Sequence, residues 1–266
     1  MTPYPSVLSI AGSDSGGGAG IQADIKSISV NGAYGATVIT ATTAQNTQGV
    51  TDIHLLPIGH IKAQLDAVLR DIKFGAVKIG MLPSREIIDV VSERLAFYGI
   101  NKIILDPVMI ATSGDKLIDA GAIERLKAFF PQTYLITPNI PEAELIIEHT
   151  ITLDNMQSSA KEIAEKFSVS VLLKGGHLEA KALMTDVLYL FKEKRAVVIN
   201  HKSIDTKHTH GTGCSLSSSI ATYLALGFDL EASVKKSCAY LNEAIEAGKD
   251  KVLGEGNGPI NHFMLK

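Results

Sequence analysis

Residues 6–45, SVLSIAGSDSGGGAGIQADIKSISVNGAYGATVITATTAQ, decide the fold. A short apolar run over residues 6–12 gives way to a segment of helical period over 21–32, and then to a second strand-like run over 36–45. That order is a βαβ unit. Downstream, AVKIGM, KIILDPV, TYLITPN and SVLLKGG read as further strands, and HIKAQLDAVLRDI, SREIIDVVSERLAFYG, AIERLKAFF and SSAKEIAEKF place apolar residues three or four apart. The alternation predicts an α/β fold, a central, mainly parallel sheet flanked by helices on both faces. DVLYLFKEKRAVVIN departs from it, with two strand-like runs around a charged turn at Lys192 to Arg195, and predicts a small antiparallel edge hairpin. The last third, SLSSSIATYLALG and LEASVKKSCAYLNEAIEAG, is helical. Without a repeat, a low-complexity tract or a linker, residues 1–266 read as one domain.

Composition narrows the function. Of 266 residues, 45% are hydrophobic and 20% charged, enough apolar material for a core and unlike a disordered chain. The net charge is −3 and no block of like charge reaches five residues, so neither nucleic acid nor an anionic membrane has an obvious docking patch. Two cysteines without CxxC spacing cannot form a disulfide scaffold, which favours a reducing cytoplasm. Neither a cationic leader nor a run of about 18 apolar residues is found, so export and membrane spanning are not expected.

The 23 glycines gather in clusters at the carboxyl ends of strands, where open α/β sheets bind ligands. The first, GSDSGGGAG at 12–20, holds five glycines in nine residues, more than one flexible turn requires. Gly18, Gly20 and Ala23 fit a loose GxGxxA dinucleotide pattern. The acidic residue that should follow about twenty positions later is absent from ATVITATTAQ, so the dinucleotide reading fails. No phosphate-binding GxxxxGK[ST] occurs either.

The second cluster, THGTGC at 209–214, runs directly into a helical segment. A glycine turn opening a helix points backbone N–H groups and the positive end of the helix dipole at one spot, an anion hole. Cys214 sits at the helix start, where a thiol pKa tends to fall, or else it is a buried structural cysteine. Cys238, in mid-helix, reads as core. His208 and His210 have no third ligand nearby and read as loop polarity rather than a zinc site.

Asn139 and Glu142, in TPNIPE, follow a strand. Glu142 is either an ordinary first-turn acid behind Pro141 or, with Asn139 and with Asp106 of LDPV, part of a hard-cation site for Mg²⁺. Lys174 in LLKGGH is either solvent-facing or poised over the same edge. An anion hole, a lysine, acids and a glycine-rich loop along one edge are the parts that phosphoryl transfer needs.

In order and spacing, AGSDSGGGAGIQADIKS, TAQNTQGV, KIGML, LDPVM, TPNIPEAE, LLKGGH and HGTGCSLSSSIA resemble the hydroxymethylpyrimidine/phosphomethylpyrimidine kinases of thiamine biosynthesis, within the ribokinase-like superfamily. The resemblance spans essentially the whole chain. It implies a ribokinase-like fold and ATP-dependent phosphorylation of 4-amino-5-hydroxymethyl-2-methylpyrimidine and then of its monophosphate. By position, Gln45, Asp24, Gly12, Ala19, Met81 and Val108 match the pyrimidine pocket. Gly211, Thr212 and Gly213 match the anion hole, with Cys214 where many superfamily members carry a catalytic aspartate. Lys174 and Asn139 match the ATP site, and Asp106 and Glu142 the Mg²⁺ region. The resemblance also implies a homodimer. Pyridoxal kinase is the alternative activity, and a non-catalytic ligand-binding protein the alternative from another class.

Overall fold

The computed structural model describes residues 2–109, 120–176 and 183–265. The loops after LDP and LKGG therefore lie partly outside the described residues. In chain order the elements are β1 (Ser6–Asp14), α1 (Gly20–Val30), β2 (Tyr34–Asn46), β3 (Gly49–Leu55), α2 (Ile58–Asp71), β4 (Ala76–Ile79), α3 (Arg85–Phe97), β5 (Ile103–Leu105), α4 (Ala120–Phe129), a 3₁₀ turn (Phe130–Gln132), β6 (Leu135–Ile136), α5 (Ile140–Ile147), α6 (Met156–Phe167), β7 (Ser170–Leu173), β8 (Leu183–Leu190), β9 (Arg195–Lys202), α7 (Thr212–Ala225) and α8 (Leu230–Gly248).

One nine-stranded sheet runs β3-β2-β1-β4-β5-β6-β7-β8-β9. Every pairing from β2 through β7 is parallel, while β3, β8 and β9 join antiparallel. The expected hairpin is β8–β9, at one edge. The sequence reading missed β3 at the other edge, and the reason is physical: all seven of its residues are exposed, so no buried face imposes a period of two.

Strand alternation divides the core into two layers. In β4, Ala76 packs with Ile28 of α1, Ile220 of α7 and Val234 of α8. Val77 and Ile79 turn to the opposite face, toward Ile61 of α2, Ile88 of α3 and Ile163 of α6. Burying each such side chain contributes roughly 1.5–3 kcal/mol, which holds helices on both faces. Local signals set the helix ends. Ser84 and Asp229 cap α3 and α8 by accepting from Ile87 N–H and Ala232 N–H, and Gly99 and Gly227 follow α3 and α7 with positive φ. Among the described residues, no helix is long and apolar enough to cross a membrane.

Candidate active site

The chain leaves β1 for β2 on one side and returns to β4 on the other, so the carboxyl end of β1 is a topological switch point, where open α/β sheets form a crevice. A cavity of about 690 Å³ lies there, lined by Gly12, Ala19, Gln45, Met81, Asp106, Val108, Asn139, Glu142, Lys174 and the 211–214 turn. Thus all but one of the site residues singled out in the sequence line one space; the exception is Asp24.

The first glycine cluster is an ordered loop. The carboxylate of Asp14 accepts hydrogen bonds from Gly16 N–H (2.8 Å), Gly18 N–H (3.0 Å) and Ala19 N–H (2.8 Å), and Lys26 Nζ donates to Gly17 O (2.7 Å). Burial works to raise the Asp14 pKa, yet the hydrogen bonds from His210, Ala19 and Gly16 hold it below the usual carboxylate value. Ser15 Oγ accepts from Gln45 N–H and donates to Gln45 O, fastening the loop to the end of β2. There the β2–β3 register shifts between Ala44 and Gln45, an irregularity of the kind that re-aims a side chain.

The two clusters pack on each other. Gly211 caps α7 at φ 84°, and a Cβ on it would stand 1.8 Å from Gly18 O. Only glycine fits there. Thr212 N–H donates to Thr209 O at 3.3 Å, while helix geometry leaves the N–H groups of Gly213 and Cys214 without intrahelical acceptors, so they and the helix dipole face the cavity. A Cβ at Gly213 would lie 3.2 Å from Asp106 Oδ2 and 3.6 Å from Lys174 Nζ, so the anion hole, an acid and the lysine converge.

Lys174, at the end of β7, is not solvent-facing: Nζ donates to Asp106 Oδ1 at 3.0 Å, and Thr137 Oγ1 donates to the same oxygen at 2.8 Å. Burial opposes the Lys174 charge, but Asp106 and Glu142 outweigh it and raise the pKa. Glu142 fills the first-turn role considered for it and also lines the cavity. It closes a capping box with Asn139 at the start of α5, and its side chain reaches the cavity wall. Burial raises its pKa to about 7, against the pull of Lys174 and with Asp106 pushing the same way.

No group of three or more His, Cys, Asp or Glu side chains placed to hold a metal ion occurs among the described residues. The two carboxylates do fit Mg²⁺, whose sites use one or two acids and complete the shell with phosphate oxygens and water.

Two expectations need correction. Asp24 is fully buried in α1, where it pairs with Lys78 Nζ of β4 at 2.8 Å and accepts from Ser218 Oγ of α7 at 2.7 Å. It lies beneath the cavity rather than in its wall, so a substrate contact does not follow. Cys214 does line the cavity, but its thiol pKa does not fall. Burial pushes it up to about 11; Lys78 and Gly20 N–H pull down, and Asp24 and Asp106 push up.

Lys78 and Asp14 escaped the sequence reading, and His210 reads there only as loop polarity. Lys78 carried a signal, a charge inside a strand buried on both faces. His208, by contrast, is structural, its Nδ1 accepting from Gly258 N–H at 3.1 Å.

Residues 14–261 match the family model described as phosphomethylpyrimidine kinase. The chain belongs to that family. Members of the phosphomethylpyrimidine kinase family similar to this chain include the hydroxymethylpyrimidine/phosphomethylpyrimidine kinase of Bacillus subtilis, 41% identical over 97% of this chain and 95% of the other. The thiamine biosynthesis bifunctional protein of Geobacter sulfurreducens is 45% identical over 98% of this chain, which spans 53% of that longer protein. Among solved structures, the phosphomethylpyrimidine kinase of Clostridium difficile is 44% identical with a TM-score of 0.79, covering 90% of this chain and 99% of the other. An ADP complex of Bacillus subtilis pyridoxal kinase gives a TM-score of 0.89 at 30% identity, covering 97% of each chain. The family's ribokinase-like architecture is the one seen here.

Proposed function

We propose that this chain transfers the γ-phosphoryl group of ATP to the hydroxymethyl oxygen of 4-amino-5-hydroxymethyl-2-methylpyrimidine and then, in a second round, to the resulting monophosphate, in thiamine biosynthesis. One observation carries the proposal. The N-terminus of α7, Lys174 and two carboxylates meet in a single cavity whose other walls are Gly12, Ala19, Gln45, Met81 and Val108.

The apolar walls sandwich a planar ring, and Gln45 supplies the polar edge that orients it. Backbone N–H groups at the start of α7 and the Lys174 ammonium, preorganised before substrate binds, take up charge on the transferring phosphoryl oxygens. Asp106 and Glu142 would hold Mg²⁺, whose contribution when bound is to neutralise phosphate charge; Asn139 presents its amide beside them. Cys214, a neutral thiol at physiological pH, accepts a hydrogen bond from the attacking hydroxyl and aims it at phosphorus. In a loose transition state the nucleophile loses its proton late, to an oxygen of the phosphoryl group being transferred, so orientation matters more than a strong base. A cytoplasmic homodimer belongs to the same proposal, and the exposed edge strand β3, with Leu55 outside the cavity lining, is the surface offered for a second copy.

Pyridoxal kinase is the second reading, favoured by the high structural likeness to one. Comparing kcat/KM for the pyrimidine alcohol and pyridoxal, each with ATP and Mg²⁺, separates them. The pyrimidine should win by at least about 10²-fold, because an amide that pairs with its edge is left unpaired by pyridoxal. A preference for pyridoxal would overturn the proposal.

A further inference from the structure

Gln45 presents an amide whose two ends have the same shape and opposite hydrogen-bonding character. Its Oε1 stands 3.0 Å from Thr43 Oγ1, and its Nε2 stands 3.3 Å from His210 Nε2. Proton accounting on the two neighbours argues against that polarity. His210 Nε2 also lies 3.0 Å from Asp14 Oδ2, an oxygen of a carboxylate that three backbone N–H groups hold in its charged form. Facing that charge, Nε2 must carry a hydrogen, and an N–H cannot also accept from the Gln45 NH₂ group. Thr43 gives the same answer independently. Its one hydroxyl hydrogen has a backbone acceptor, Ser13 O, at 3.1 Å, which leaves its oxygen as an acceptor toward Gln45. With the amide turned by half a revolution, every group is satisfied: Thr43 donates to Ser13, Gln45 NH₂ donates to Thr43, and His210 N–H serves Asp14 with Gln45 Oε1 as a second acceptor.

We propose that His210 and Thr43 lock the Gln45 amide in this polarity, oxygen toward His210 and nitrogen toward Thr43, and that the lock makes the cavity select an amino heterocycle over an oxo heterocycle. This deepens the pyrimidine-kinase proposal and rests on it. The remaining lone pair of Oε1 and the second N–H of Nε2 form an acceptor–donor pair of fixed order. An aminopyrimidine edge, an exocyclic N–H beside a ring nitrogen lone pair, matches that order with its amino group on the His210 side. The oxo tautomer offers a carbonyl and a ring N–H in the reverse order, so in the same orientation it meets donor against donor and acceptor against acceptor. His210 and Thr43 also line the cavity, but in this proposal they are positioning residues whose effect on the substrate runs through Gln45.

The test has two arms. In the wild-type protein labelled with ¹⁵N, the Gln45 side-chain NH₂ protons should show nuclear Overhauser contacts to the Thr43 methyl group; contacts to the His210 ring protons instead would overturn the lock. In kinetics, the ratio of kcat/KM for the 4-amino pyrimidine alcohol over its 4-oxo analogue should exceed ~10² in wild type and fall at least ~10-fold in His210→Ala and in Thr43→Val, with the loss for the amino substrate residing mainly in KM. Unchanged ratios in both folded variants, while wild type turns over the amino substrate, would overturn the lock alone. No turnover of either heterocycle by wild type would defeat the pyrimidine proposal and the lock with it.

Discussion

At Cys214 two effects of opposite sign compete. The start of α7 favours a thiolate, burial favours the thiol, and burial wins, with the pKa raised to about 11. At pH 7.5 the thiolate fraction is then of order 10⁻³ to 10⁻⁴. From pH 8 to 9.5, kcat should therefore be flat within about twofold; a continuing tenfold rise per pH unit would mark the thiolate as the working base. Cys214→Ala should lower kcat by about 10²-fold while moving KM little, because misplacing the nucleophile costs that order. Glu142 supplies the second pH effect. Its folded pKa, about 7, lies above the ordinary 4.5, so the folded state binds the proton more tightly. Stability contributed by the protonated form is complete below pH 4.5 and is lost as pH rises through about 7, by roughly 3 kcal/mol at most. Glu142→Gln preserves an acceptor for the capping box and removes that loss. Denaturant titrations should show the variant gaining on wild type between pH 5 and 8; parallel curves would contradict the assignment.

Between elements, the informative group is Lys78. Its ammonium is fully buried, it lies on the α1/α7 side of β4, and it ties β4 to α1 through Asp24, which in turn accepts from Ser9 of β1 and Ser218 of α7. Four elements that position the anion hole thus share one buried charge pair. Lys78→Met would leave Asp24 unpaired and cost about 3–5 kcal/mol, while Lys78→Met with Asp24→Leu should recover most of that stability. Urea unfolding of the single and double variants checks both; equal losses would show that packing, not charge pairing, is at stake. These elements were legible in the sequence to different degrees. Helices α3, α7 and α8 and the parallel strands announced themselves by apolar period and glycine punctuation. The glycine-rich turns of 12–20 and 209–214 mark the ligand edge by their composition and their place after strands. Asp24 misled because matching a motif position says nothing about which face of a helix the sheet will cover. His210 was unreadable as more than loop polarity because its partners, Asp14 and Gln45, are 196 and 165 positions away.

For the whole molecule, the sheet order brings the residues proposed to handle ATP and those proposed to hold the ring into one crevice, although they are far apart in sequence. The unpaired outer edge of β3 is the exposed counterpart of that order, with Leu55 exposed outside the cavity lining. If a second copy covers it, Leu55→Asp should shift sedimentation from dimer to monomer, and an unchanged dimer would move the interface elsewhere. The central claim is that two glycine clusters pressed together at Gly18 and Gly211 form a phosphoryl-transfer site for a pyrimidine alcohol. Mass spectrometry of the products from the wild-type protein, 4-amino-5-hydroxymethyl-2-methylpyrimidine, ATP and Mg²⁺ tests it most directly. The monophosphate and then the diphosphate of the pyrimidine should accumulate, each new phosphate matched by one ADP; recovery of the alcohol unphosphorylated would contradict the claim.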